Sequence, residues 1–379
     1  MLSPQIKDPS SPHSAEKDNP SAHYIWDLPT RLFHWTLAGA VVTAASSGWV
    51  GGPWLTIHLA AGSVVAALIV FRLVWGVFGS GYSRFSAFPL SPHAIFAHLG
   101  EIRRRAGSHY LGHNPLGAAM ILTKLAVLTL MVTSGAVALG GMFKQGPMAF
   151  LSFNTGLFFR EGHETLALIV ALLLVLHLGG VLLTSQLENL NLVLAMITGR
   201  KSGTLHDNIG KVQLARPQMA MLALLCCAGL LAVVWRVLPP APALPPVLDP
   251  VVVSECGSCH EPYHPILLPA SVWRQLVANL HDHFGEDASV SSATAQGVEA
   301  AMIRWSADDT DREVAGWWRL SNDPTVPFSI SASALWKRRH QDVPDQIFKS
   351  KAVGGKGNCS ACHRDARLGI FAPQAIHVP

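Results

Sequence analysis

Two pentapeptides carry the most specific chemistry in the chain: CGSCH, with Cys256, Cys259 and His260, and CSACH, with Cys359, Cys362 and His363. Thiols at this spacing can add across the vinyl groups of one haem, and the adjoining imidazole is then held where it can ligate the iron. A zinc centre built from all four thiols would leave both histidines without a task. The pattern points to two covalently attached c-type haems and to one-electron chemistry. Candidates for the opposite ligands are His264, His281, His283, His340 and His377, and no methionine follows Met302. A histidine or an open position is therefore expected opposite His363.

Four further histidines lie in apolar sequence, where an ionisable side chain is costly and marks function. His34 and His58 stand near the start of the first and second apolar stretches, and His163 and His177 lie on the fourth. The 14 residues between His163 and His177 are close to four helical turns, so these two share a face and stand about 21 Å apart. In antiparallel helices His34 then comes level with His177, and His58 with His163. That predicts two bis-imidazole b haems stacked across a bilayer. On the same ruler Arg72 follows His58 by 14 positions and Gly48 follows His34 by 14. Arg72 is expected to meet a propionate of the cytoplasmic haem, and Gly48 to leave room for the periplasmic one. Lys124, in the third stretch, is expected to snorkel toward the cytoplasmic interface, with a propionate contact or proton exchange with a quinone as alternatives. The loop histidines His93, His98, His109, His113 and His206 read as solvent-facing or interfacial.

The elements that must position these groups are legible in the hydropathy. Half of the residues are hydrophobic and 14% are charged, and nearly all of the apolar sequence lies between Trp26 and Leu238. Five stretches approach the roughly 20 residues needed to cross a bilayer: Leu32–Val50, Trp54–Phe78, Leu116–Leu139, His163–Thr184 and Gln218–Leu238. Trp26, Trp35, Trp49, Trp54 and Trp75 fall near their ends, as interfacial anchors would. Arg84, Arg103, Arg104 and Arg105 make one loop basic, and Arg200, Lys201, Lys211 and Arg216 another. Both should face the cytoplasm. The N-terminus is then cytoplasmic, and the fifth helix delivers the C-terminal domain to the periplasmic side of a bacterial inner membrane. Covalent haem attachment, which takes place outside the cytoplasm, selects the same topology.

Residues 1–22 lack the features of a secretory signal and read as a disordered tail. Residues 23–238 form the membrane domain, 239–250 a Pro-rich tether, and 251–379 a soluble domain with helices expected over Ser271–His283 and Ala293–Arg304. Two porphyrins are expected to supply much of the core of so small a domain. The apolar segment Gly140–Gly162 reads as a cover over a quinone site or a haem, and the adjacent Cys226 and Cys227 as packing residues. The fold class is thus all-α: a four-helix b-haem core plus a fifth transmembrane helix, followed by a small, mainly helical dihaem cytochrome c domain. No Lys/Arg run interleaved with aromatics is present, so nucleic acid is not an expected partner.

WDLPTRLFHW, FRLVWGVFG, GHNPLG, EGHETLA and MITGRK together resemble the bacterial cytochrome b(561) family, which includes the b-type subunit of nickel-iron hydrogenases. That resemblance implies two b haems and exchange of electrons with membrane quinone. LLPASVW, HDHFGED, RRH and NCSACHRDA resemble the bacterial dihaem cytochrome c family. Its pattern singles out His283 and His340 as distal ligands and implies bis-histidine haems. Sequence proximity pairs His260 with His283 and His363 with His340.

The expected function is transmembrane electron transfer between the quinone pool and a soluble periplasmic cytochrome or other redox protein. The alternatives are a subunit of a hydrogenase-like complex, or a periplasmic reductase if one c haem keeps an open iron position. A homodimer is compatible with the sequence.

Overall fold

Asp27 sets the start of the membrane bundle. A short strand β1 (Ala22–Tyr24) leads to it, and its side chain accepts the Thr30 amide at 2.9 Å to open α1 (Leu28–Val50), with a proline in the first turn. Cap and proline together satisfy an orphan N–H and preset the helical φ. The other oxygen of Asp27 accepts from Trp75 Nε1 at 3.0 Å and from Ser80 Oγ at 2.5 Å. It thereby ties the start of α1 to the end of α2 (Leu55–Phe78). Between these helices the chain reverses at Gly51 and Gly52, both at positive φ, a region that glycine alone occupies freely.

A loop bearing α3 (Pro92–Arg103) leads to a second antiparallel pair, α4 (Pro115–Phe143) and α5 (Phe153–Glu188). Helix α6 (Leu192–Thr198) then delivers β2 (Arg200–Ser202), which pairs antiparallel with β1. Helix α7 (Pro217–Val237) packs against α2. This computed structural model describes residues 22–105, 110–202, 215–239, 248–321 and 328–379. The expected tail before Ala22, residues 240–247 of the tether, and His109, His206 and Lys211 lie outside the described residues.

Among the described residues, three helices are long and apolar enough to cross a membrane: Gly52–Phe78, Pro115–Phe143 and Phe153–Glu188. The other two expected spans are also helical. Helix α1 is diluted by Thr, Ser and Gly, and α7 is a helix of 21 residues. Helix α5 has 36 residues, about 54 Å of helix against a hydrocarbon core of about 30 Å. Its ends must project, and His163 stands ten residues inside its start.

Two expectations about side chains change at the end of the bundle that holds β1 and β2. Trp26 and Trp75 are buried rather than interfacial, whereas Trp49 is 92% exposed. His98 is buried beside Glu101, and His113 is wedged between Trp26 and Phe88 at 4.5 and 4.8 Å. Burial, followed by the charges of Arg72 and Lys201, pushes the His113 pKa down to about 3. These are histidines of a packed polar end, and hydropathy alone could not show it.

The C-terminal head contains α8 (Pro250–Cys256), α9 (Ala270–Ala278), α10 (Ser292–Arg304), α11 (Glu313–Ser321), α12 (Ala334–Arg339) and α13 (Asp345–Phe348). Helix α9 stops short of His283: Asn279 leaves helical geometry and caps the Gln275 carbonyl, and a 3₁₀ turn over Leu280–Asp282 follows. The head has a polypeptide core, in which Val252, Ile266, Leu268, Trp273, Met302 and Trp318 are buried together. The expectation that porphyrins supply much of the core therefore applies chiefly to the segment after His340. There, only Phe348, Val353, Ala366 and Ala372 are buried hydrophobics.

Candidate haem-binding sites

The hairpins α1–α2 and α4–α5 face each other along a seam, and four imidazoles meet across it. The His34 and His177 ring centroids lie 6.4 Å apart, and those of His58 and His163 lie 6.0 Å apart. In the head, His260 faces His283 at 6.1 Å and His340 faces His363 at 6.1 Å. Two imidazoles bonded from opposite sides to one metal ion at about 2.0 Å, each with its centroid about 1.1 Å behind the nitrogen, stand about 6 Å apart. All four pairs have the separation of trans ligands on a single iron. The residues present fit haem.

Hydrogen bonding prepares several of these rings for ligation. The Nδ1–H of His58 donates to the Ala44 carbonyl at 2.8 Å, and that of His163 to the Met131 carbonyl at 2.9 Å. In the head, His260 donates to the Glu261 carbonyl at 2.8 Å and His340 to the Trp336 carbonyl at 2.9 Å. A carbonyl can only accept, so these contacts fix the Nδ1–H tautomer. The lone pair is then on Nε2, where a metal would bind.

Close backbone approach accompanies the pair His58 and His163. A Cβ on Gly48 would stand 2.8 Å from His58 Nδ1, and one on Gly135 would stand 3.0 Å from His163 Cε1. Gly48 thus makes room first for the imidazole itself. Gly135 plays the matching part on α4, and no spacing rule pointed to it. Gly48→Val is expected to displace the His58 ring and lose most of one b-type haem signal, with helix content by circular dichroism unchanged. Full retention of that haem would show that the close approach is dispensable.

Arg72 is buried, donates to the Ser83 carbonyl at 3.0 Å and lies over Phe85 at 4.7 Å. Its guanidinium therefore holds the loop after α2, and a propionate contact would have to use its remaining donors. Lys124 lies within electrostatic reach of both His34 and His177.

The two pentapeptides of the head are stitched together. Glu261, next to His260, accepts from Ser360 Oγ and from Arg367 Nε, both at 2.6 Å, and Tyr263 donates to the Gly357 carbonyl at 3.0 Å. Burial works to raise the Glu261 pKa, but the Ser360 and Arg367 donors outweigh it and hold the carboxyl below its usual range.

Of the other histidines considered, His281 and His377 are exposed. His264 is committed to the protein: its Nδ1 accepts the Ile266 amide at 3.3 Å, and Gly369, at positive φ, packs on its ring. Burial, then Arg312, pushes its pKa down to about 4.

Comparison with known proteins agrees with this two-part site. The profile of the prokaryotic cytochrome b561 family matches residues 25–199, and that of dihaem cytochrome c matches residues 252–371. The diheme cytochrome c from Rhodobacter sphaeroides is 38% identical, covers 34% of this chain and is itself covered to 98%, with a TM-score of 0.29. The C-terminal part of the chain belongs to the dihaem cytochrome c family, and residues 25–199 are similar to the prokaryotic cytochrome b561 family. Sequence identity over nearly the whole of that relative carries the assignment of the cytochrome c part. A diheme cytochrome c from Shewanella baltica OS155 is 29% identical over 35% of this chain and 94% of its own, with a TM-score of 0.28.

For the cytochrome b part, the probable Ni/Fe-hydrogenase B-type cytochrome subunit of Bradyrhizobium diazoefficiens is 26% identical over 137 residues, 30% of this chain and 56% of that protein. Its counterpart in Azotobacter vinelandii is 29% identical over 121 residues, 26% of this chain and 50% of that protein. The chain spans about half the length of these curated relatives. The matches to two cytochrome families imply haem as the cofactor, and the b561 match together with the long apolar helices makes this a membrane protein.

Proposed function

We propose that this fused cytochrome conveys electrons across the bacterial inner membrane, between the quinone pool and a soluble redox protein of the periplasm. Haem, when bound, supplies reversible one-electron chemistry at iron. The protein supplies axial ligands, spacing and local dielectric. His34 with His177 and His58 with His163 would hold two b haems. His260 with His283 and His340 with His363 would hold two c haems, joined through Cys256, Cys259, Cys359 and Cys362.

The observation that carries this reading is the common separation of 6.0 to 6.4 Å in all four histidine pairs. With both imidazoles of a pair holding a bound haem, no position at the iron would be left for a substrate, which suits electron transfer. This weighs against a periplasmic reductase. The basic loops on the side of β2 support a cytoplasmic N-terminus.

Anaerobic addition of a quinol to the purified, haem-loaded protein is expected to reduce the b-type absorption bands first and the c-type bands after them. If neither set responds, the quinone pool is not the donor. Lys124→Met is expected to lower the midpoint potential of one b haem by on the order of 50 mV, because a nearby cation favours the less positive, reduced iron. A redox titration in which both b potentials stay within error of the parent would detach Lys124 from the His34 and His177 pair.

A further inference from the structure

The head is held by more than its tether. Asp311, just ahead of α11, reaches the N-terminus of α5, where Oδ1 accepts the Phe153 amide at 3.0 Å. Its Oδ2 accepts from Lys144 Nζ at 2.7 Å, and Lys144 also donates to the Leu151 carbonyl at 2.6 Å. A carboxylate at this position takes up an orphan N–H and is favoured by the helix dipole. Lys144 sits at the C-cap of α4 in the left-handed region, and its side chain is only 2% exposed. A buried ammonium is costly unless paired, and the pairing carboxylate comes from the head.

The apolar part of this contact is tight. Phe153 is fully buried; a Cβ on Gly316 would come within 2.2 Å of its ring, and Trp317 meets the ring edge-on at 5.7 Å. The segment read as a cover over a haem or quinone site is thus helix at both ends, and its middle is where the head docks.

A second contact lies at the other hairpin. The turn Pro373–Ala375 packs against Gly52–Trp54 and against α2, the helix that carries His58. This turn belongs to the CSACH site: Ile376 bridges to His363, and the His377 amide donates to the Cys362 carbonyl at 2.8 Å. The CGSCH site has a different setting. Cys259 and His260 are exposed, and the residue after His283, Phe284, is 63% exposed.

We propose that these two contacts lock the head in one orientation. The His340 and His363 pair is turned toward the His58 and His163 end of the bundle, and the His260 and His283 pair is turned outward to meet the soluble redox partner. Asp311, Lys144 and Gly316 are positioning residues in this scheme. It rests on the reading of the four histidine pairs as haem ligands and assigns them an order: His34/His177, His58/His163, His340/His363, His260/His283. A fixed order matters because electron transfer between redox groups falls steeply with distance. A head free to turn on its tether would only intermittently present the right site.

The test uses the haem-loaded full chain in lipid nanodiscs, with the photoreactive residue p-benzoylphenylalanine in place of Trp54. Illumination and peptide mass spectrometry are expected to find adducts within residues 371–377. Adducts within residues 255–286, or none on the head, would overturn the orientation. Asp311→Lys and Gly316→Leu, each added separately, are expected to remove the adduct at unchanged c-haem content. They should also slow quinol-driven reduction of the c haems at least tenfold, with b-haem reduction as in the parent. Asp311→Glu should restore both. An adduct and a rate that survive both disruptive variants would show that the latch does not set the orientation. Should quinol fail to reduce even the parent protein, the proposed function falls while the adduct pattern still decides the orientation.

Discussion

His163→Leu is expected to halve the b-haem content, leave both c haems attached, and lower quinol-driven c-haem reduction by more than about a hundredfold. Loss of a supporting partner alone already costs about 10- to 100-fold in metal affinity, and here a ligand itself is removed. The expectation follows from the seam: His163 stands 6.0 Å from His58, its Nδ1 is tied to the Met131 carbonyl, and Gly135 packs on its ring. His177→Leu should remove the other b haem and spare the one held by His58 and His163. His281→Ala, at an exposed position, is the matched control and should leave all haem content unchanged. Pyridine haemochrome spectra give b and c content separately, and a full b complement in His163→Leu would sink the ligand assignment for α5.

The second large effect concerns the head. Replacing Cys359 and Cys362 together by Ser should reduce the covalently bound haem from two groups to one. It should also unfold the chain from about His340 to the C-terminus while the rest of the head stays folded. The reason is the division of the core. Val252 through Leu335 enclose their own buried cluster, whereas the last forty residues are short turns around a few buried side chains. Segments below about 40 residues rarely hold a fold without a metal, disulfide or cofactor. Denaturing-gel haem staining reads the first part, and hydrogen exchange by mass spectrometry reads the second. Amides of 345–376 should lose protection, those of α9 and α10 should keep it. Uniform loss across the head would mean that its polypeptide core cannot stand without the second haem.

Glu261 connects these two halves. Its contacts to Ser360 and Arg367 make the CGSCH loop a support for the CSACH loop, so the double cysteine variant should also loosen the residues around His260. The membrane hairpins, which meet the head mainly through Phe153 and the Gly52–Trp54 turn, should be affected least.

Much of this protein could be read from its residues in order. A Cys-x-x-Cys-His unit is local chemistry, complete within five positions, and it announces itself wherever the chain carries it. Helix periodicity is also local: the 14-residue step from His163 to His177 sets their face and separation before any neighbour is known. Apolar length sets which segments become membrane helices, and charge bias orients them. Both family resemblances rest on such short-range patterns, and the profile matches over 25–199 and 252–371 agree with them.

What tertiary structure decided lies between segments distant in the chain. Spacing could not choose among His264, His281, His283, His340 and His377; the family resemblance singled out His283 and His340, and packing brings these two opposite the pentapeptide histidines while it commits His264 to its own turn. It also buried Trp75, His98 and His113 at an end that composition marks as loop, because Asp27, Arg72 and Lys201 supply polar contacts drawn from separate segments. The seating of the head through Asp311, Lys144 and Phe153 has no signature in any one stretch. Sequence carries the haem chemistry because covalent attachment and helical pitch act over a few residues. The order of the sites depends on which surfaces bury each other, and only the folded chain determines that.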